Sequence, residues 1–381
     1  MNVLTGQQVS IVAPQPGTTT DPVRKAMELA SVGPVVWVDT AGIDDTGFLG
    51  GRRVAESLSQ LAQVDVALLL FSENTFGSAE EFVAQHCREH NIPLVLIYSL
   101  SDCYPPDDAL LQSVSSQLLQ TVIPFSVYDH SARSVILQAV AEALPPTVYD
   151  TPPLIGHRVG EGELVLLVVP IDAAAPTSRL ILPQVQVMRD LLDHHARVLV
   201  CRETELAQTL RELPHPPSLV ITDSQVFGEV SALVPTDVPL TSFSMILAHA
   251  KGPFNLYMQG VAAIDSLRDG DRVLMLESCT HAASCEDIGR VKLPRLLTRH
   301  TGKKLHCEAV SGLSALPRPI TDYSLVIQCG GCVLTSRQLR SRLLPALQAS
   351  VPVTNYGIAI AHLNGILPRV SSIFLSDNSF Q

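Results

Sequence analysis

The sequence is short of cations: 26 lysines and arginines stand against 37 aspartates and glutamates, a formal net charge of −11 at pH 7. A surface of that sign repels a phosphate backbone, which excludes a general nucleic-acid-binding role. Charged residues make up only 17% of the chain and apolar ones 46%, which excludes a disordered polymer. Long apolar runs are missing as well. "VDVALLLF" and "ELVLLVVP" are strand-length, and no stretch reaches the uncharged length of a membrane helix. No basic segment followed by an apolar one opens the chain, so a cytoplasmic protein without membrane contact is expected.

Cysteine is sparse: eight in 381 residues cannot staple a disulfide scaffold. Cys87, Cys103, Cys201 and Cys307 are isolated in sequence and read as small buried hydrophobes. Cys279, Cys285, Cys329 and Cys332 are grouped, in "ESCTHAASCEDIG" and "QCGGC", and the grouping points to metal or redox chemistry.

The length suits two or three domains. Apolar strand-like runs alternate with helical patterns, which predicts an α/β protein with parallel sheets and ligands at the carboxyl ends of the strands. "GPVVWVDTAG", "VDVALLLFSE" and "IPLVLIYSLSD" are strands of the first part, with helices in "RRVAESLSQLAQ" and "AEEFVAQHCREH". A stretch rich in proline and glycine over 143–163 reads as a linker. "LVLLVVPID", "ARVLVCRE" and "SLVITDS" follow as strands, and then "RVLMLES" and "SLVIQ", whose ends carry Cys279 and Cys329. No internal repeat with a fixed period is evident.

"DTAG" after a strand suits Asp39 to hold Mg²⁺ through water and the Gly42 amide to face a terminal phosphate. The threonines Thr18, Thr19 and Thr20 upstream suit a loop that coordinates the same Mg²⁺. Together they signal a GTPase-type fold, yet no G-x-x-x-x-G-K-[ST] cradle occurs in the chain. The opening "MNVLTGQQVSIV" reads as the tail of the helix that such a cradle starts. That reading expects a start at an internal methionine or a truncated gene. In place of a guanine-reading Asn-Lys-x-Asp stands "SLSD", in which only Asp102 is left to accept from the guanine edge. GTP and Mg²⁺ binding is therefore expected to be weak.

Cys329 and Cys332 flank two glycines whose freedom of conformation lets backbone amides point at the sulfurs. With Cys279 they supply three thiolates from two strand ends, enough for three irons of a [4Fe-4S] cluster. The fourth iron would take Glu286, His281 or Cys285. Zinc accepts Cys₃His equally well, and a C-x-x-C redox pair is a third option that leaves Cys279 and His281 without a role. Spacing alone does not choose between iron–sulfur and zinc. "GRVKLPRLLTRHTGKK" carries six Lys/Arg and no acid, either an anion-attracting rim or a solvated helix face.

"PGTTTDPV", "DTAGIDD", "ESCTHAASCEDIG", "CGGC" and "TNYGIAIAHLNGIL" together resemble the FeFe-hydrogenase maturation factor family, HydF. The resemblance runs over nearly the whole chain and implies three domains. These are an incomplete P-loop-GTPase-like domain (1–148, lacking the Walker A motif), a small α/β dimerisation domain (164–244, after a linker over 149–163) and a Rossmann-like iron–sulfur domain (245–381). It implies a homodimeric scaffold that binds a [4Fe-4S] cluster. Its cargo would be a di-iron subcluster precursor, loaded by radical-SAM maturases and handed to apo-hydrogenase. By position, Cys279, Cys329 and Cys332 match the family's cluster cysteines, Glu286 the exchangeable fourth ligand and His281 its alternative. Gln328 stands where many members have histidine. Basic residues such as Arg290 and Lys292 would favour an anionic cargo. The competing readings are a zinc-stabilised interaction module and a working GTPase that switches partner affinity.

Overall fold

The computed structural model describes residues 1–6, 23–29, 32–42, 54, 57–61, 63–144, 153–171, 180–277, 288–311, 316–332 and 334–377. The chain divides into two compact units, Met1–Thr151 and Pro152–Gln381.

In the first unit, β1 (Val23–Leu29) and β2 (Gly33–Asp39) form an antiparallel hairpin. The sequence reading expected the strand before "DTAG" to join a parallel sheet. The connection from Leu29 to Gly33 is far too short for a parallel crossover, which needs a dozen residues or more. The partner strand "VRKAMEL" escaped notice because its charges give it little strand character. A separate parallel sheet runs in the order β3 (Ala67–Phe71), β4 (Leu94–Tyr98), β5 (Val122–Pro124). Every residue of the central strand β4 is buried, as an apolar run covered on both faces must be. Leu96 and Tyr98 face one core with Val83, Ala84 and Cys87 of α1 (Ser78–Glu89) and Val114 of α2 (Asp108–Leu118). Val95 and Ile97 face another with Ile136 and Val140 of α3 (His130–Ala143). The strand period of two thus divides its neighbours between the faces.

The second unit holds two parallel four-stranded sheets. The first runs β7 (Arg197–Cys201), β6 (Leu164–Val168), β8 (Leu219–Thr222), β9 (Leu240–Ser242); the second runs β11 (His306–Ser311), β10 (Arg272–Glu277), β12 (Leu325–Gln328), β13 (Val353–Asn355). All pairings are parallel and the winding order is the same in both. The likeness extends to sequence. "SLVI" occurs at 218–221 and 324–327, and "VPLTSFSMILAHAKG" (238–252) matches "VPVTNYGIAIAHLNG" (351–365). The two halves separate these stretches by different lengths, so no fixed period betrays the repeat.

Each of these stretches is a short strand, a capping residue and a helix. Ser242 caps α5 (Phe243–Lys251) by accepting from the Met245 amide at 3.2 Å. After α6 (Phe254–Gly260), α7 (Leu293–Thr301) and α8 (Ser336–Gln348), Asn355 caps α9 (Tyr356–Leu363) by accepting from the Gly357 amide at 2.9 Å. The first turns of α5 and α9 cross. Ser244 Oγ donates to Asn355 Oδ1 at 3.1 Å, and a Cβ on Gly357 would lie 2.8 Å from Ser244 Cβ. Only glycine permits that approach. Part of the proline- and glycine-rich stretch is built into this unit as well. The amides of Leu154, Ile155 and Gly156 donate to the Asp190 carboxylate at 3.0, 2.8 and 2.6 Å on α4 (Leu182–Asp193). Among the described residues no helix is long and apolar enough to cross a membrane.

His249, near the end of α5, stacks on Phe374 (centroids 4.9 Å apart) and meets Phe254 edge-on at 5.1 Å. Burial first, then the charges of Arg158 and His157, pull its imidazole down to about 4. The unfolded chain therefore binds a proton that the folded one refuses between pH 6.5 and 4. Stability is full above about pH 6.5 and falls as pH drops to about 4, by about 1–2 kcal/mol after allowance for screening. Denaturant titrations across that range should show the loss, and His249→Phe should flatten it. An unchanged slope in the variant would remove His249 as the cause.

Candidate functional site

β10 and β12 are neighbours, and the Cys329 amide extends their ladder by donating to Leu276 O at 2.9 Å. Cys329 therefore begins a loop at the carboxyl end of the sheet, as the apolar run "SLVIQ" predicts. Gly331 adopts the left-handed φ of +64°, and Cys332 follows it; both thiols are partly exposed. The expected aim of backbone amides at the sulfurs is not met by the Cys329 amide, which the ladder consumes. A side chain from the other half of the unit serves the loop instead. Lys251 Nζ, the last residue of α5, donates to the carbonyls of Gly331 (3.3 Å), Cys332 (3.4 Å) and Leu334 (3.2 Å). Burial lowers the ammonium pKa, and the Cys332 thiol opposes that shift. Thr335 then caps α8 by accepting from the Gln338 amide at 3.3 Å, while Gln338 Oε1 accepts from the Thr335 amide at 3.1 Å.

Gln328 faces away from the loop. Its fully buried amide accepts from Tyr257 Oη at 2.6 Å and donates to Leu339 O at 3.3 Å. Burial first, then Cys329, push the Tyr257 phenol pKa up, so it remains the donor.

Cys279, His281, Cys285 and Glu286 lie outside the described residues, but both ends of the segment carrying them are defined. The chain enters at Glu277, whose carbonyl accepts from Arg342 Nη1 at 2.6 Å. It returns at Ile288–Lys292, where Gly289 packs against Tyr356 so closely that a Cβ would clash. The Glu277 carboxylate accepts from Arg290 Nη2 at 2.9 Å and Ser311 Oγ at 2.6 Å. One ion pair therefore ties entry to exit. Two of the six cations of "GRVKLPRLLTRHTGKK" have partners here. Arg290 is matched to Glu277, and Lys292 turns to Gln225 Oε1 at 3.1 Å beside a cavity of about 150 Å³. On α7, Leu293 and Leu297 are buried one helical turn apart.

Asp39 ends β2 and Gly42 follows it, exposed, while the Ala41 carbonyl between them accepts from Ser57 Oγ at 3.1 Å. Thr18, Thr19 and Thr20 lie outside the described residues. Asp102 lies beyond β4, exposed, in the turn that "SLSD" begins. The Ser126 hydroxyl, from the loop after β5, hydrogen-bonds its carboxylate and is the main cause of a lowered pKa. Asp39 thus ends a strand of the hairpin, whereas Asp102 lies in a turn beyond a strand of the parallel sheet. Cys103 is the exception among the isolated cysteines. It is exposed, and its thiol donates to Asp102 Oδ2 at 3.4 Å, which raises its pKa. Cys87 and Cys201 are buried as expected; Cys307 is part-buried, with burial pushing its thiol up to about 11.

A family model described as the Hydrogen maturase F dimerization domain matches residues 154–252, and one described as the Hydrogen maturase F tetramerization domain matches 255–373. The chain belongs to the hydrogen maturase F family. The two matched segments cover the paired sheets of the second unit, with the Cys329–Cys332 loop inside the tetramerization domain. A GTPase model, described as 50S ribosome-binding GTPase, matches residues 1–99. Curated relatives match about two-fifths of the chain. GTPase Der of Cyanothece sp. is 30% identical over 160 residues, covering 39% of this chain and 33% of its own. GTPase Era of Lactobacillus helveticus is 28% identical over 149 residues, covering 38% and 49%. The chain spans half or less of the length of these curated relatives. A crystal structure of Era with MgGDPNP and a 16S ribosomal RNA segment aligns at a TM-score of 0.35 and 16% identity, over 53% of this chain and 86% of that one. This hydrogen maturase F chain therefore combines a GTPase-family domain with the family's two self-association domains.

Proposed function

We propose that the protein is a scaffold in FeFe-hydrogenase maturation whose tetramerization domain holds a [4Fe-4S] cluster through Cys279, Cys329 and Cys332. The observation that carries the reading is the Cys329–Cys332 loop. Two partly exposed thiols sit at the carboxyl end of a parallel sheet, with the Lys251 ammonium bound to the loop's carbonyls and the Arg342 guanidinium anchoring the neighbouring strand. Soft donors beside positive charge fit an iron–sulfur group. The cations favour thiolate over thiol and offset part of the negative charge of the ligand set.

Such a cluster would supply an iron whose fourth ligand exchanges. Glu286, His281 and Cys285 are the candidates for that ligand, an oxygen or nitrogen donor being the most readily displaced. The chain's own part is to hold three thiolates and to fix the ends of the Cys279 segment through Glu277 and Arg290. It would thereby present one open position to an anionic di-iron precursor. Radical-SAM maturases as source and apo-hydrogenase as recipient complete the proposal, with a cytoplasmic homodimer as its simplest assembly. The GTPase-type domain would have a regulatory part impaired in this chain, GTP and Mg²⁺ binding only weakly at Thr18, Thr19, Thr20, Asp39, Gly42 and Asp102, the last being the part of the guanine site that "SLSD" retains.

Anaerobic reconstitution with iron and sulfide tests the reading. The expected result is about four irons per chain and a broad visible charge-transfer absorption. A protein that refuses iron and instead holds zinc on its thiols would overturn it in favour of a structural zinc module.

A further inference from the structure

At the other end of the second sheet of this unit, Asp265, His300 and His362 converge from three elements. Asp265 lies in a 3₁₀ turn (Val261–Ser266) before β10, at the amino end of the strand. His300 occupies the last turn of α7 and His362 the last turn of α9. His300 Nε2 lies 2.8 Å from Asp265 Oδ1 and His362 Nε2 3.1 Å from the same oxygen. All three candidate ligand atoms fall within 4.8 Å of one another, and among the described residues no other group of histidine, cysteine and acid does this.

We propose that Asp265, His300 and His362 form a binding site for a divalent transition-metal ion, with zinc as the ion the donors fit best. The argument does not depend on the cluster reading, because these residues lie at the strand ends opposite Cys329 and Cys332.

Zinc bound tetrahedrally at about 2.0–2.1 Å sets its ligand atoms about 3.3 Å apart. The two nitrogen–oxygen separations are already close to that spacing, so an ion is admitted by small side-chain rotations. Two imidazoles and a carboxylate are borderline donors suited to zinc, and three protein ligands leave the fourth position to water. The backbone adds to this. Both histidines stand at helix carboxyl ends, where the aligned peptide dipoles place partial negative charge, worth about 0.3–1 kcal/mol each toward a cation. The Asp265 carboxylate is ionised, its pKa lowered chiefly by the His300 hydrogen bond. Side-chain exposures of 52% for Asp265, 35% for His300 and 21% for His362 give an ion a route in from solvent.

The repeat supplies a contrast. His249 occupies the position in the first half that His362 occupies in the second, yet it is packed between two phenylalanine rings. A histidine at this helix position serves packing in one half, whereas in the other its Nε2 meets a carboxylate shared with a second imidazole. A hydrogen-bonded triad without metal is the competing account of the same geometry.

Cobalt distinguishes the two in the full-length chain. After alkylation of accessible thiols, titration with Co²⁺ should give one equivalent bound, with ligand-field bands in the visible and no near-ultraviolet thiolate-to-cobalt band. Zinc should displace the cobalt. The paired substitution His300→Gln and His362→Gln should abolish the bands, and Asp265→Asn should weaken binding at least about tenfold. Circular dichroism verifies folding of each variant; if the paired variant does not fold, the Asp265→Asn comparison stands in its place. A thiol-blocked wild-type protein without the bands overturns the proposal, as do variants that keep them undiminished. Either outcome leaves the triad as a hydrogen-bonded tie between α7, α9 and the turn before β10.

Discussion

Cys332→Ala protein, reconstituted anaerobically, is expected to lose its visible charge-transfer band and nearly all bound iron, as is Cys329→Ala. On the proposed reading each removes a thiolate bound to iron, which costs more than the 10–100-fold in affinity typical of changes to the residues that only support a ligand. The two cysteines share one loop at the end of the strand, and the Cys329 amide is committed to Leu276. Cys103→Ser and Cys87→Ala are the controls. Cys103 belongs to the GTPase-like unit and Cys87 to its core, and both variants should load iron as the wild type does. Glu286→Gln should leave the iron content nearly intact while changing how readily an added cyanide binds. Iron and sulfide assays with electron paramagnetic resonance of the reduced protein measure all of these. If Cys332→Ala retains full iron, the loop is not the ligand site.

Lys251→Met is expected to damage the same loop without touching a ligand. Methionine retains the apolar stem of the side chain and removes a charge with three hydrogen bonds. Hydrogen bonds to a charged donor contribute about 1.5–3 kcal/mol in favourable geometry. These three are long, so about 2–3 kcal/mol for the set is a reasonable expectation. For a unit of this size that is a fall in Tm of about 4–12 °C. The carbonyls of Gly331, Cys332 and Leu334 would then compete for water, and the loop would lose its definition. Chemical denaturation of the cluster-free protein reads the stability, and the rate of iron loss to a chelator reads the loop. Lys251→Arg, which keeps the charge, should recover part of both. Unchanged chelation kinetics in Lys251→Met would show that the ammonium only spans the loop.

Much of this architecture was legible in the order of residues, and the reason lies in burial. "LVLLV", "RVLML" and "LVIQ" are strands with both faces covered, so an unbroken apolar run marks them. The position of Cys329 followed from that alone. Three-residue strands such as Leu240–Ser242 and Val353–Asn355 were not legible, because they are too short for a period to emerge. Contacts between distant residues were not legible either. Lys251 and Cys332 are brought together because α5 runs beside the loop after β12, which no local pattern encodes. Arg290 is a surface cation as its sequence context suggests, but its pairing with Glu277 thirteen residues earlier was not legible. His300 and His362 had no common motif and share only a fold position. The one local signal was that each stands two residues before a glycine or asparagine at a helix end.

The grip of Lys251 on the Cys329–Cys332 loop has a thermodynamic consequence. Lys251 belongs to the segment matched by the dimerization domain, whereas the carbonyls it holds belong to the loop in the tetramerization domain. Ligands that act on a shared element are bound by reciprocity: if self-association through the first segment strengthens the grip on the loop, loading the loop strengthens self-association by the same free energy. Subunit dissociation constants of the cluster-free and cluster-loaded forms would then differ by the factor that separates the cluster's affinity for monomer and oligomer. Under that condition, assembly and loading of the loop would be two readings of a single equilibrium, joined at the lysine that ends one helix.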